Sequence, residues 1–132
     1  MSRLIIEADG GSRGNPGPAA IGYVIYTPEG EVLAEYGEKI GISTNNVAEY
    51  SALVAALRSA KEIDPDADIV VRMDSQLVVK QMKHEYKIKN PTLKKLAEIA
   101  ANIFEEDQVT YHWIPREENK YADSLVNEAL DK

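Results

Sequence analysis

The hydrophobic period of the chain changes once, and that change limits what it can fold into. Up to about Ile40, apolar residues alternate or cluster in short blocks bounded by turn residues. Beyond it, apolar residues three and four apart alternate with short β-branched blocks. A period of two marks strands and a period of 3.6 marks helices. Arg3 to Asp9 reads as a largely buried strand, with Asp9 its last residue. A glycine-rich turn, Gly10-Gly-Ser-Arg-Gly-Asn-Pro-Gly17, follows at once and is closed by Pro16 and Pro18. Ala20 to Tyr26 alternates, with Ile21, Tyr23 and Ile25 on one face. Pro28-Glu-Gly30 is a turn signal, and Glu31 to Ile40 continues as a third strand. Three strands on short connections make an antiparallel meander.

In the second part, Thr44, Asn45 and Asn46 are candidate N-caps. Tyr50, Leu53, Val54 and Leu57 follow at helical spacing to about Glu62, and Asp64-Pro65-Asp66 ends that helix. Asp68 to Met73 reads as a buried strand, and Asp74-Ser75 caps a short helix reaching about His84. Asn90-Pro91 opens another helix, with proline in its first turn and a stripe of Leu93, Leu96, Ala97, Ala100, Ile103 and Phe104. Val109 to Ile114 is the last strand, with Val109, Tyr111 and Trp113 on one face. Asn119 caps a final helix with Val126, Ala129 and Leu130 inward. The order β-β-β-α-β-α-α-β-α predicts an α/β fold: a mixed five-stranded sheet, three antiparallel strands then parallel ones, flanked by helices. No repeat or low-complexity linker divides residues 1–132, which read as a single domain.

Composition narrows the chemistry. The chain has no cysteine, which excludes a disulfide framework and thiolate metal sites. Any bound metal must be held by oxygen or histidine, and His84 and His112 are the only histidines. No apolar run approaches the ~20 residues of a membrane span, and the start lacks a signal peptide's cleavage pattern. A cytoplasmic protein with no membrane partner is expected. The net charge of −7 argues against a nucleic-acid partner. Its distribution argues the other way: Arg72, Lys80, Lys83, Lys87, Lys89, Lys94 and Lys95 fall in a segment with only Asp74 and Glu85 to oppose them. A solvated helix face and a phosphate-binding stretch both fit this run.

Four carboxylates stand out. Asp9 and Asp74 each end a strand, where sites of open α/β sheets lie. If the two strands are parallel neighbours, the two side chains meet at one rim. Glu49 is placed in the first turn of its helix with Leu53 and Ala56 below it, and Asp123 in the first turns of the last helix with Val126 and Leu130 below. Both then lie on core-facing sides. Each has a plainer explanation alone: an acid in a first turn gains ~0.3–1 kcal/mol from the helix dipole, and an Asp after a strand serves as a turn or cap. Together they would repel one another without a cation. Hard oxygen ligands select Mg²⁺ or Mn²⁺. Two such ions ~3.5–4 Å apart can clamp the attacking and leaving oxygens of a phosphodiester. Metal-assisted phosphodiester hydrolysis is the reaction class indicated. A nucleotide cradle at the glycine turn fails on context, because no Gly-Lys-Ser/Thr ends it and a strand follows.

Asp9-Gly-Gly-Ser-Arg-Gly-Asn-Pro-Gly17, Thr44-Asn-Asn-Val-Ala-Glu-Tyr50, Met73-Asp-Ser-Gln76 and Glu118-Asn-Lys-Tyr-Ala-Asp123 occur in an order and spacing that resembles type 1 ribonuclease H, ribonuclease HI. The resemblance spans nearly the whole chain. It is greatest to actinobacterial and archaeal domains of the family, and some actinobacterial relatives carry a C-terminal phosphatase domain. It implies endonucleolytic cleavage of the RNA strand of RNA–DNA hybrids, leaving 5′-phosphate and 3′-hydroxyl ends. Asp9, Glu49, Asp74 and Asp123 match the family's metal-binding carboxylates. Asp9 would bridge two ions, Glu49 and Asp74 would complete the site on either side, and Asp123 the side of the attacking water. Asn15, Asn46 and Gln76 fall where the family contacts the RNA strand, and Thr44 and Asn45 where it holds a DNA phosphate. Recognition through 2′-hydroxyls gives the hybrid preference a physical basis. Helix capping alone is the plainer reading for one of Asn45 and Asn46.

Two departures follow. The family's loop histidine is missing from Ile114-Pro-Arg-Glu-Glu-Asn119, so Arg116 or Glu117 is the expected stand-in. The extra basic helix of many bacterial members is also missing, leaving Lys80, Lys83, Lys87, Lys89 and Tyr86 to grip substrate. Weaker, salt-sensitive binding and an extension to duplex RNA are expected, in a monomer. Two alternatives compete: a non-catalytic nucleic-acid-binding module, which has no use for four carboxylates, and an exonuclease or strand-transfer enzyme of the same superfold, which the small size and the asparagines before Glu49 disfavour.

Overall fold

The computed structural model describes residues 2–132. Its strands are β1 (Arg3–Ser12), β2 (Gly17–Tyr26), β3 (Val32–Ser43), β4 (Asp68–Met73) and β5 (Val109–Trp113), and its helices are α1 (Asn45–Ile63), α2 (Gln76–Met82), α3 (Pro91–Ala101) and α4 (Lys120–Leu130). Single 3₁₀ turns at Glu106–Gln108 and Arg116–Glu118 precede β5 and α4. The sheet order is β3-β2-β1-β4-β5. β1, β2 and β3 pair antiparallel, and β4 pairs parallel to both β1 and β5. This is the mixed five-stranded sheet that the change of period predicts. β1 has the meander on one side and the crossover strand on the other, so the topological switch lies between β1 and β4.

Several boundaries differ from expectation. β1 does not stop at Asp9: Gly10, Gly11 and Ser12 continue it, paired with Ile21, Ala20 and Ala19. Cross-strand pairing overrides the poor strand propensity of glycine, and the turn contracts to residues 13–16. β4 is buried on one face only, through Ile69, Val71 and Met73. α3 ends at Ala101, so Ile103 and Phe104 lie beyond it, although Phe104 stays buried. Val109 and Tyr111 pack on the core, whereas Trp113 is 46% exposed.

The core sits between one sheet face and α1. Ile6 and Ala8 of β1, and Ile21 and Ile25 of β2, pack with Tyr50, Leu53 and Leu57. α4 covers part of the opposite face, where Val126 and Ala129 meet Ala20. Thr44 caps α1 by accepting from the Val47 amide at 3.2 Å. Ser75 caps α2 and Asn90 caps α3 in the same way. α2 closes with His84 in the left-handed region at φ 63°. The Glu85 amide there donates back to the Lys80 carbonyl at 2.8 Å, as in a Schellman end. Asn119 precedes α4 but makes no side-chain cap, contrary to expectation. No described helix is long and apolar enough to cross a membrane.

Candidate active site

β1 and β4 run side by side until their pairing ends at Glu7 and Arg72. Asp9 and Asp74 then leave the sheet at the same rim. Glu49 joins them from α1, and carboxylate oxygens of Asp9, Glu49 and Asp74 lie within 4.8 Å of one another. Glu49 stands one turn into α1, not in its first turn. Its anchor is therefore not the helix end but the Gly10 amide, which donates to Glu49 Oε1 at 2.7 Å.

Two glycines admit the helices that bring the outer carboxylates. A Cβ on Gly10 would lie 2.2 Å from the Ala48 carbonyl, so only glycine lets α1 come close enough for Glu49 to reach the rim. Gly22 pairs with Asp9 across β1 and β2. A Cβ there would lie 2.6 Å from the Ala122 carbonyl oxygen. α4 rests directly on that gap and carries Asp123 into the same cleft, a space of about 320 Å³.

The electrostatics follow from this crowding. Asp9 is only 8% exposed. Burial, then the charges of Asp74 and Asp123, push its pKa up to about 8. Burial, then Asp9 and Asp74, push Glu49 well above the carboxylate range, and the Gly10 amide opposes the shift. The one cation close to these carboxylates among the described ion pairs is Arg116, whose Nη2 stands 3.8 Å from Asp123 Oδ1 at an exposed site. Hard oxygen donors, convergent and short of positive charge, suit a divalent cation.

The other candidate residues divide into those that reach the cleft and those that do not. Arg116 and Asn45 line it; Glu117 is exposed in the preceding 3₁₀ turn and does not. Neither Asn45 nor Asn46 caps α1, since Thr44 does. Asn45 Oδ1 instead accepts from the Ser12 amide and hydroxyl at 2.9 and 3.0 Å. Asn15 Oδ1 accepts from the Asn45 amide at 3.0 Å. The two asparagines thus brace the turn against α1. Asn46 and Gln76 are exposed at the first turns of α1 and α2. In the basic segment, Lys80 lies over the Tyr86 ring at 5.0 Å and Lys83 pairs with Glu85 at 3.3 Å. Buried Gln81 accepts from Tyr50 OH at 2.6 Å and donates to the Lys87 carbonyl at 3.3 Å, which pins the loop bearing Lys87 and Lys89.

The sequence reading missed two contributors. Gly22 lies inside a strand, where a lone glycine signals close backbone approach. Asn119 looks like a cap, yet its Nδ2 donates to the Ala8 carbonyl at 2.9 Å and to Asp74 Oδ1 at 3.0 Å.

Comparison with known proteins agrees with this geometry. A family model described as reverse transcriptase-like matches residues 7–129. The bifunctional protein Rv2228c of Mycobacterium tuberculosis is 48% identical over 98% of this chain, which spans only 36% of that protein's length. The crystal structure of RNase H1 from Halobacterium salinarum superposes with a TM-score of 0.92 at 44% identity, covering 98% of both chains. LC11-RNase H1, crystallised in complex with an RNA/DNA hybrid, superposes with a TM-score of 0.91 at 48% identity, covering 97% of this chain and 96% of that one. With matches of this extent to actinobacterial and archaeal relatives, the chain belongs to the type 1 ribonuclease H family.

Proposed function

We propose that this chain is a metal-dependent endoribonuclease that hydrolyses the RNA strand of RNA–DNA hybrids, leaving 5′-phosphate and 3′-hydroxyl ends. The observation that carries the reading is the meeting of Asp9, Glu49 and Asp74, from β1, α1 and the end of β4, within 4.8 Å. The hybrid bound by LC11-RNase H1 supports the choice of substrate.

Asp9, Glu49, Asp74 and Asp123 would hold Mg²⁺ or Mn²⁺, with two ions at the site. Such ions supply Lewis-acid charge to a phosphoryl oxygen and make bound water nucleophilic near neutral pH. The chain's own groups set the geometry. The Gly10 amide aims Glu49 at the rim. Arg116 alone of the two loop candidates lines the cleft beside Asp123, which favours it over Glu117 in the place of the missing histidine. Asn15 and Asn45 engage their carbonyl oxygens internally, which turns their NH₂ groups outward as donors to a ribose or phosphate. Thr44, Asn46 and Gln76 extend the same surface, and Lys80, Lys83, Lys87 and Lys89 supply charge for the phosphate backbone. This short grip reads backbone shape, so duplex RNA is a secondary substrate. The protein acts as a monomer. The bifunctional mycobacterial relative supports a second domain where this sequence occurs in a longer protein, and the family resemblance would make that domain a phosphatase.

An end-labelled hybrid incubated with Mg²⁺, Mn²⁺ or chelator tests the reading, with duplex RNA, duplex DNA and Asp74→Asn alongside. Internal cuts in the RNA strand that need metal and vanish in the variant are the expected result. A folded protein that binds hybrid but cuts it with neither metal would leave only a binding module.

A further inference from the structure

We propose that Asn119 is a positioning residue that fixes the direction in which Asp74 presents its carboxylate to a cation. The inference rests on the reading of Asp74 as a metal ligand. The pairing of β1 with β4 ends at Glu7 and Arg72. Just beyond that point, Asn119 Nδ2 donates to both the Ala8 carbonyl and Asp74 Oδ1. One amide group therefore ties the two strand ends together where their own ladder has stopped. Met73 is the last residue of β4, so Asp74 itself stands outside the sheet. Its other described tether is Trp113, whose Nε1 donates to the Asp74 backbone carbonyl at 3.2 Å. Holding the backbone at one point and one carboxylate oxygen at another fixes where the second oxygen points.

Two sacrifices show that this orientation is enforced. Asn119 is fully buried, yet its Oδ1 has no hydrogen-bond partner among the described residues. Turning the amide over would not help: Oδ1 would then face the Ala8 carbonyl and the Asp74 carboxylate, two acceptors, and the NH₂ group would be stranded. In addition, the side chain stands at the N-cap position of α4 and does not cap it. Asparagine is among the best capping residues, and buried unpaired acceptors are uncommon. A role in helix capping or in packing would require neither loss. A donor held against Asp74 accounts for both.

Groups that hydrogen-bond a metal ligand change metal affinity by ~10–100-fold when removed. The test uses binding in the absence of substrate. Trp113 is the chain's single tryptophan, and its bond to Asp74 makes its emission a local reporter. Mn²⁺ would be titrated into the wild type, Asn119→Ala and Asn119→Ser, followed by Trp113 fluorescence and by calorimetry, with urea unfolding run beside them. Serine keeps a hydroxyl but cannot span both acceptors, and it perturbs packing less if the alanine variant folds poorly. We expect the Mn²⁺ Kd to rise ~10–100-fold in each folded variant. On the hybrid, kcat at fixed metal should fall by a similar factor and recover as metal is raised, with KM unchanged. A lower urea midpoint with an unchanged Kd would overturn the proposal and leave Asn119 as packing. No metal binding by the wild type would overturn the reading of the site, and this inference with it.

Discussion

Replacing Asp9 by asparagine should abolish cleavage and yet stabilise the metal-free protein, by an amount that grows with pH. Asp9 is raised from an ordinary 3.8 to about 8, by burial and then by Asp74 and Asp123. Between those values the folded chain keeps a proton that the unfolded chain has lost. Stability therefore falls as pH rises, at about 1.4 kcal/mol per unit, and the loss is complete once Asp9 ionises near pH 8. From pH 5.5 to pH 8.5 the interval still open to Asp9 is about 2.5 units, so the wild type should lose about 3 kcal/mol that asparagine does not. The assay is urea unfolding of both proteins in chelator at the two pH values. The stability gap should widen in favour of Asp9→Asn by that amount. Metal at about 100 times its Kd should return about 2.7 kcal/mol to the wild type and little to the variant. A gap that stays constant with pH, or a variant less stable than wild type at pH 8.5, would refute the claim that the site is electrostatically strained.

Three further outcomes follow from single contacts. Gly22→Ala would place a Cβ 2.6 Å from the Ala122 carbonyl oxygen and push α4 off the sheet; a loss of about 1–3 kcal/mol in urea unfolding should accompany a lower kcat as Asp123 moves. Gln81→Leu strands Tyr50 OH and the Lys87 carbonyl, so stability should drop by about 1–3 kcal/mol; KM for the hybrid should rise as the lysine loop loosens, with kcat held. His84→Gly relieves a left-handed residue at φ 63° and should raise stability by about 0.5–1 kcal/mol, with unchanged hybrid cleavage.

The elements were legible because each is written in local patterning. Ile21, Tyr23 and Ile25 alternate and do share the core face. Thr44, Ser75 and Asn90 stand where caps belong and do cap. Asp9 and Asp74 read as rim residues because both follow strand patterns, and the parallel pairing of β1 with β4 brings them together. What escaped is long-range. Asn119 lies 111 residues from Ala8, and a cap-type residue in a cap position gives no sign that its side chain turns inward. The glycine turn misled for a related reason: Gly10 and Gly11 have poor strand propensity, but their partners on β2 hold them in the sheet.

Several losses in this protein meet at one rim. Asp9 and Glu49 resist ionisation there, Asn119 leaves an acceptor unpaired among the described residues, and α4 starts without a side-chain cap. The other helices keep their caps, α1 and α2 even beside the rim: α1, α2 and α3 are capped by threonine, serine and asparagine in turn. A fold selected for stability alone would have no reason to place its defects together. A fold that must hold four carboxylates for a cation has one, because their mutual repulsion is relieved by a retained proton or by the cation that displaces it. Gly10 and Gly22 fit this account: each gives up a side chain so that a helix can deliver its carboxylate. On the proposed reading, the strain at the β1–β4 rim is the metal-free half of a binding equilibrium. Replacing one of its raised carboxylates, Asp9 or Glu49, by the neutral amide should trade metal affinity for stability.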